Sequence, residues 1–350
     1  MFAWSRGLGE TLMLESQQLA VCAIHSVDRF ALGVPVLDVA ASYFKAFGLR
    51  AQAAGERLQL RTHHDDHVWA EVLHTPNKSK RLEYLSLGAF AHDLESLRKK
   101  ALEAGASEVD PHPLCANPDG FWIRDPDGNL LQIAVRAKST PNQSARGSGS
   151  PIVYERNAIG ETIAPIRVPR TVYPQRLSHV LLFSTDVLRS VDFYANVLGL
   201  RLSDKSADVV AFMHGAHASD HHLIAFFKSP APGLHHSSWL VGSLDEVGLG
   251  MEQMLAAGYR EGWGVGRHVI GSNYFYYVRD PWGSFTEYAF DIDFVAAQGN
   301  WPATDYPPEN ALYFWGPAVP ESFALNTEAE CAKAWGQEDR TIGAPTCLGT

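Results

Sequence analysis

Basic residues are in short supply. The chain carries 29 Lys and Arg against 39 Asp and Glu, a formal net charge of -10 over 350 residues. Such a surface repels a phosphate backbone, which excludes a nucleic-acid footprint. Cysteine is scarce as well. Cys22, Cys115, Cys331 and Cys347 show no CxxC spacing, which argues against a zinc knuckle or a disulfide framework and suits a reducing cytosol. Long apolar runs are missing: the stretch around Leu12 to Leu19 is broken by Glu15 and two glutamines. It is too short and too polar for a signal core or a membrane span. The expectation is a soluble cytoplasmic protein with neither a nucleic-acid nor a membrane partner.

What the chain does have is apolar content and length. Hydrophobic residues make up 46%, enough for two domains with their own cores. The sequence also repeats itself. Ser42–Leu49 (SYFKAFGL) matches Phe193–Leu200 (FYANVLGL), Leu102–Gly105 matches Leu255–Gly258, and Asp125-Pro-Asp-Gly128 matches Asp280-Pro-Trp-Gly283. Order is kept and the offset grows slowly, as small loop insertions would produce, so a whole domain is duplicated. Residues 137–174 between the copies are rich in Ser, Gly and Pro and read as a linker.

Each copy is itself doubled. In the second, a strand at Leu177–Phe183 precedes a helix at Val187–Val197. Strands then follow near Arg201–Ser203, Val209–Met213 and His222–Phe227. The pattern restarts with a strand at His235–Val241 and a helix near Asp245–Ala257, closed by Gly258. Strands at Arg267–Ile270, Asn273–Val278 and Phe285–Phe290 complete it. The predicted class is α+β: two domains, each of two βαβββ modules. The division is an N-terminal extension (1–21), a first domain (22–136), the linker, a second domain (175–295) and a C-terminal arm (296–350) that covers a surface or part of a pocket mouth.

Three polar residues stand inside strand-like runs: His179 in Leu177–Phe183, His236 in Leu234–Val241, and Glu287 in Ser284–Phe290. A lone strand histidine is ordinarily a core residue. Two imidazoles and a carboxylate at matching positions of paired modules are a different matter. On one face of a metal they leave the opposite face open, which suits Fe(II) holding an organic substrate together with dioxygen. The first copy has Asp28 where the second has His179, Gln132 where it has Glu287, and no histidine in Glu83–Leu87, the stretch matching His236. The neighbour His235 is expected on the other strand face, at the rim, because successive strand side chains alternate. Alternation also puts Tyr277 on the side of Phe275, with Tyr274 and Tyr276 as rivals. The tract Arg61–His67 reads as a solvated hairpin turn.

At this point the residues resemble a known family, the type I extradiol ring-cleaving dioxygenases of the vicinal oxygen chelate superfamily. The resemblance spans about residues 22 to 295 and rests most on His221–Phe227, His236–Val247 and Gly266–Glu287. It implies one Fe(II), with Mn(II) as the alternative ion, held by His179, His236 and Glu287, and a first domain that is a metal-free relic. It also implies His222 as acid/base and His268 and Tyr277 as hydrogen-bonding residues around the substrate and dioxygen oxygens. The implied partners are a catecholic small molecule and O2, the implied role is aromatic catabolism, and a homo-oligomer is expected. Two rivals on the same fold are a glyoxalase-type lyase and a ligand-sequestering module. The first usually takes a fourth ligand from a carboxylate on the last strand of the first module, which Leu223–Phe227 lacks. The second has no metal triad.

Overall fold

The structure is a computed structural model and describes residues 21–76, 79–144, 157–159, 161, 171–297 and 299–329. Most of the expected N-terminal extension, much of the expected linker and residues 330–350 of the expected arm lie outside these.

The first half runs β1 (Ile24–Val34), α1 (Leu37–Ala46), β2 (Arg50–Ala53), β3 (Arg57–Arg61), β4 (Ala70–His74), then β5 (Arg81–Ala89), α2 (Leu94–Glu103), β6 (Phe121–Arg124) and β7 (Leu130–Val135). The second half repeats that order with β8 (Arg176–Ser184), α3 (Val187–Asn196), β9 (Arg201–Ser206), β10 (Val210–His214), β11 (Ser219–Asp220), β12 (Ile224–Lys228), β13 (Gly233–Leu240), α4 (Leu244–Ala256), β14 (Gly262–Arg267), β15 (Tyr274–Arg279) and β16 (Phe285–Phe290). Two short strands follow, β17 (Phe294–Val295) and β18 (Thr304–Asp305). The class is α+β, with the βαβββ order expected. One module is abbreviated: between α2 and β6 only Glu108 bridges to Ile123. Pro111, Pro113 and Pro118 fill that stretch and cannot donate to a ladder.

In each half the first strands of the two modules pair antiparallel at the centre of one mixed sheet. The orders are β2-β3-β4-β1-β5-β7-β6 and β14-β15-β16-β13-β8-β12-β10-β9-β18. The halves are tied by a pseudo-symmetric pair of contacts. The α1 residue Tyr43 donates to the Val278 carbonyl at 3.2 Å, and its repeat mate in α3, Tyr194, donates to Asp125 at 3.1 Å. Phe47 stacks on Tyr288 at 3.9 Å, adding about 0.5–1.5 kcal/mol beyond the area it buries.

The expected strand at Arg267–Ile270 is displaced: β14 covers Gly262–Arg267, so His268 follows it. Gly262, Gly264 and Gly266 alternate along β14 and give no apolar period to read. Close packing excludes side chains there, since a Cβ at Gly266 would stand 2.5 Å from the Phe275 ring. His222 likewise precedes β12 instead of starting it.

Candidate metal centre

The sheet register alone assembles the site. Ser238 on β13 pairs with His179 on one side and with Glu287 on the other. Glu287 pairs in turn with Tyr277 on β15. One row therefore crosses four strands in the order His179, Ser238, Glu287, Tyr277, at the strand spacing of about 4.8 Å. Parallel pairing of β12 with β8 sets His222 beside His179, with ring centroids 4.0 Å apart. His236 lies two residues from Ser238 and shares its face. Ser238 is small, which leaves space above it for an ion. Sequence reasoning missed this residue because a serine in a strand carries no signal of its own.

The three expected ligands come together. His179 Nε2 lies 3.3 Å from Glu287 Oε2 and 3.3 Å from His236 Nε2, and His236 Nε2 lies 3.7 Å from Glu287 Oε2. All three residues are buried, and among the described residues they form the one cluster with metal-ligand spacing. Glu287 Oε2 is buried with no hydrogen-bond partner, although an orphaned buried carboxylate oxygen is costly. Glu287 Oε1, by contrast, accepts from Asn273 Nδ2 at 3.0 Å. The donor set fits a divalent first-row ion with open coordination positions. Burial opposes the charged form of Glu287, but the His179 imidazole overrides it and lowers the carboxyl pKa. Burial, with the neighbouring imidazoles, lowers His222 and His236 well below the usual histidine value, so both are neutral, the form in which a histidine ligates.

The expected acid/base and hydrogen-bonding residues line the same cavity of about 230 Å³. His268 Nδ1 donates to the Leu312 carbonyl at 2.7 Å, and its Nε2 therefore accepts from the Tyr277 hydroxyl at 3.0 Å. Burial, then the Glu287 charge, raises the Tyr277 hydroxyl well above its ordinary value. Its rival Tyr274 points elsewhere, under the Arg267 guanidinium. Val209, Val210, Phe212 and Phe227 form an apolar wall, and Pro308, Leu312 and Phe323 of the arm close the other side.

His235 departs from expectation. It is 1% exposed and lines the same cavity as His236. A register shift between Leu234 and His236 against β8 breaks the alternation, as a bulge does. Both imidazoles then turn to one side, their Nδ1 atoms 2.8 Å apart.

Across β5, β7 and β6 the first half shows the same register with other residues. Ser86 pairs with Gln132, and Gln132 with Trp122, as Ser238 pairs with Glu287 and Glu287 with Tyr277. Gln132 Nε2 donates to the carbonyls of Asn117 and Asp119 at 2.7 and 2.8 Å. Asp28 is held by Arg29 at 2.9 Å and faces Arg136 at 3.4 Å. His67 of the hairpin tract contacts the Asp28 carbonyl at 2.8 Å. Gln132 and Asp28 thus have protein partners, while the buried Arg136 Nε makes no hydrogen bond.

Comparison with known proteins places the chain among relatives. A sequence model described as the Glyoxalase/Bleomycin resistance protein/Dioxygenase superfamily matches residues 176–288. The chain is 47% identical over 308 residues to Metapyrocatechase 2 of Cupriavidus necator, covering 88% of this chain and 93% of that one. It is 33% identical over 134 residues to the iron-dependent extradiol dioxygenase of Rhodococcus jostii, covering 34% and 42%. Among solved structures, the Mn(II)-bound glyoxalase from Novosphingobium aromaticivorans superposes with a TM-score of 0.68 at 23% identity, over 86% of this chain and 94% of that one; at that identity the likeness shows the fold.

Proposed function

The chain belongs to the glyoxalase/bleomycin resistance protein/dioxygenase superfamily, beside the metapyrocatechases, and we infer from this and the site geometry that it opens the ring of a catechol with O2, outside the two hydroxyls. The observation that carries the reading is the triangle of His179 Nε2, His236 Nε2 and Glu287 Oε2, with its orphaned carboxylate oxygen. We assign the ion as Fe(II), with Mn(II) as the alternative. Three protein ligands leave up to three positions on a six-coordinate ion. When bound, the metal supplies the place where a bidentate diol and dioxygen meet and lets charge pass between them.

The protein's own part is positioning and proton handling. His222, beside His179, takes a proton from the diol and returns it to the opening ring, a step worth about 10²–10⁴-fold. The Tyr277 hydroxyl and the His268 ring flank Glu287 and supply polar contacts where oxygen charge develops. The aliphatic and phenylalanine wall keeps water from the reacting ring. We assign the first half a structural role without metal.

The test is oxygen uptake by the Fe(II)-loaded full chain supplied with catechol. The expected result is about one O2 per diol, a yellow extradiol product, and loss of both iron and turnover in His236→Ala. An intradiol product, or turnover without O2 on a thiol adduct of methylglyoxal, would overturn the reading.

A further inference from the structure

The sequence contains two His-His doublets in the second half, His221-His222 and His235-His236, and the structure builds them alike. In each, the second histidine lies among the site residues and the first directs its Nε2 at an oxygen acceptor. His221 Nε2 lies 2.7 Å from Asp204 Oδ2. His235 Nε2 lies 2.7 Å from the Phe323 carbonyl. Within each doublet the Nδ1 atoms meet, at 3.1 Å for His221 and His222 and at 2.8 Å for His235 and His236.

Proton counting fixes the direction. A neutral imidazole has one N–H. A carboxylate or carbonyl oxygen accepts, so His221 and His235 must carry their proton on Nε2. In the neutral ring the Nδ1 atom is then bare and accepts. The second histidine of each doublet must therefore hold its proton on Nδ1, which leaves its Nε2 bare and turned into the site. We propose that His221 and His235 are positioning residues, each fixing the tautomer of the histidine that follows it, so that His222 meets substrate and His236 meets the metal through an unprotonated Nε2.

The anchoring oxygens belong to a shared frame. Phe323 lies in the C-terminal arm. Asp204 is held by the arm too: its Oδ1 accepts from Thr304 N at 2.8 Å and its Oδ2 from Trp301 Nε1 at 3.2 Å. With His221, that makes three groups in hydrogen-bond contact with the Asp204 carboxylate. The bulge at His235 also acquires a reason. With regular alternation, His235 would point away from His236 and the relay would not close.

The inference rests on the reading of His236 as a ligand and His222 as the acid/base, and the variants separate the two. His235→Phe is well suited, since His235 already packs among Phe183, Phe227, Phe285 and Phe323. The readout is the rate at which the iron-loaded full chain yields its metal to a chelator. Loss of an outer hydrogen-bond partner costs about 10–100-fold in metal affinity, so faster release by that order is expected in His235→Phe. His235→Gln, whose amide both donates and accepts, should recover much of it. The second arm is Asp204→Asn, whose amide N–H favours the opposite tautomer of His221. Turnover should fall at least about tenfold with iron retained and catechol affinity under argon unchanged, and Asp204→Glu should restore part of it. Wild-type iron release by His235→Phe alongside iron loss in His236→Ala would overturn the inference alone. Wild-type turnover by Asp204→Asn would do the same for the first doublet. Retention of iron by His236→Ala would instead overturn the ligand assignment beneath it.

Discussion

Glu328→Ala tests the arm that frames the site. The Glu328 carboxylate accepts from Leu82 N at 3.1 Å and from Leu234 N at 3.0 Å. Leu82 lies on β5 of the first half and Leu234 on β13 of the second, so one side chain pins the arm to both. The ammonium of the fully buried Lys80 stands 3.8 Å away, and the Asp280 carboxylate lies 3.5 Å from that ammonium on another side. Burial raises the Glu328 carboxyl pKa against the pull of Lys80, so the charged group is costly to hold and its net worth is less than its contacts suggest. Removing it is a separate matter. Breaking a buried ionic contact from one side costs about 3–5 kcal/mol, and each orphaned N–H adds about 1–3 kcal/mol. Asp280 and the Ser284 hydroxyl remain for Lys80, which keeps the ionic part near about 3 kcal/mol, and the two orphaned N–H groups at about 1 kcal/mol each bring the expected loss to about 5 kcal/mol. Urea unfolding of the iron-loaded chain followed by circular dichroism measures it. The KM for catechol should rise in parallel, because Leu312 and Phe323 of the same arm line the cavity. A loss under about 1 kcal/mol with unchanged KM would refute the view that Glu328 fastens the arm.

Four further outcomes are expected. His222→Gln should keep its iron and lose about 10²–10⁴-fold in turnover; normal turnover would make it a hairpin residue. Asp28→Ala should leave iron content unchanged, and elemental analysis showing half the wild-type iron would assign a second site to the first half. In α4, a Cβ at Gly250 would stand 2.9 Å from the Tyr288 ring whereas one at Gly248 meets nothing; Gly250→Ala should destabilise by about 1–3 kcal/mol and Gly248→Ala stabilise by about 0.5–1 kcal/mol, with equal thermal midpoints refuting the distinction. Burial pushes His25 and His214 down to about 4, so between that value and about 6.5 the unfolded chain binds protons that the folded chain refuses. Stability present above pH 6.5 should fall on acidification by up to about 1.4 kcal/mol per pH unit for each group; equal urea midpoints at pH 7 and pH 5 would contradict this.

His179, His236 and Glu287 were legible because each is a polar residue inside an apolar strand of a duplicated pattern, and the other copy supplied the contrast. Tyr277 was legible through strand alternation against Phe275. His235 was not, because the bulge that turns it inward is a property of the pairing with β8, a partner more than fifty residues away in the chain. β14 was misplaced because its alternate glycines carry no hydrophobic period, the reason for them being the close approach of β15: the Tyr277 carbonyl at Gly262, the Phe275 carbonyl at Gly264 and the Phe275 ring at Gly266. Asn273, Ser238 and Asp204 were silent for a related cause: a small polar residue gains meaning only from the atom it faces. The arm's part in the cavity depends on Pro308, Leu312 and Phe323 folding back over a wall built a hundred residues earlier.

The two halves also differ in what they need in order to stay folded. In the first, Gln132 and Asp28, which stand where the second has Glu287 and His179, are held by protein partners. In the second, a carboxylate oxygen without a hydrogen bond and two imidazole nitrogens face each other at the spacing of a cation site. On the proposed assignment of the metal to the second half, its local free energy is linked to the concentration of free metal. When the ion is scarce, opening should begin around β13 and β16 while the first sheet stays shut, and a protease would meet that region first. By that linkage, metal supply would bear on the resistance of the second sheet to opening as well as on activity.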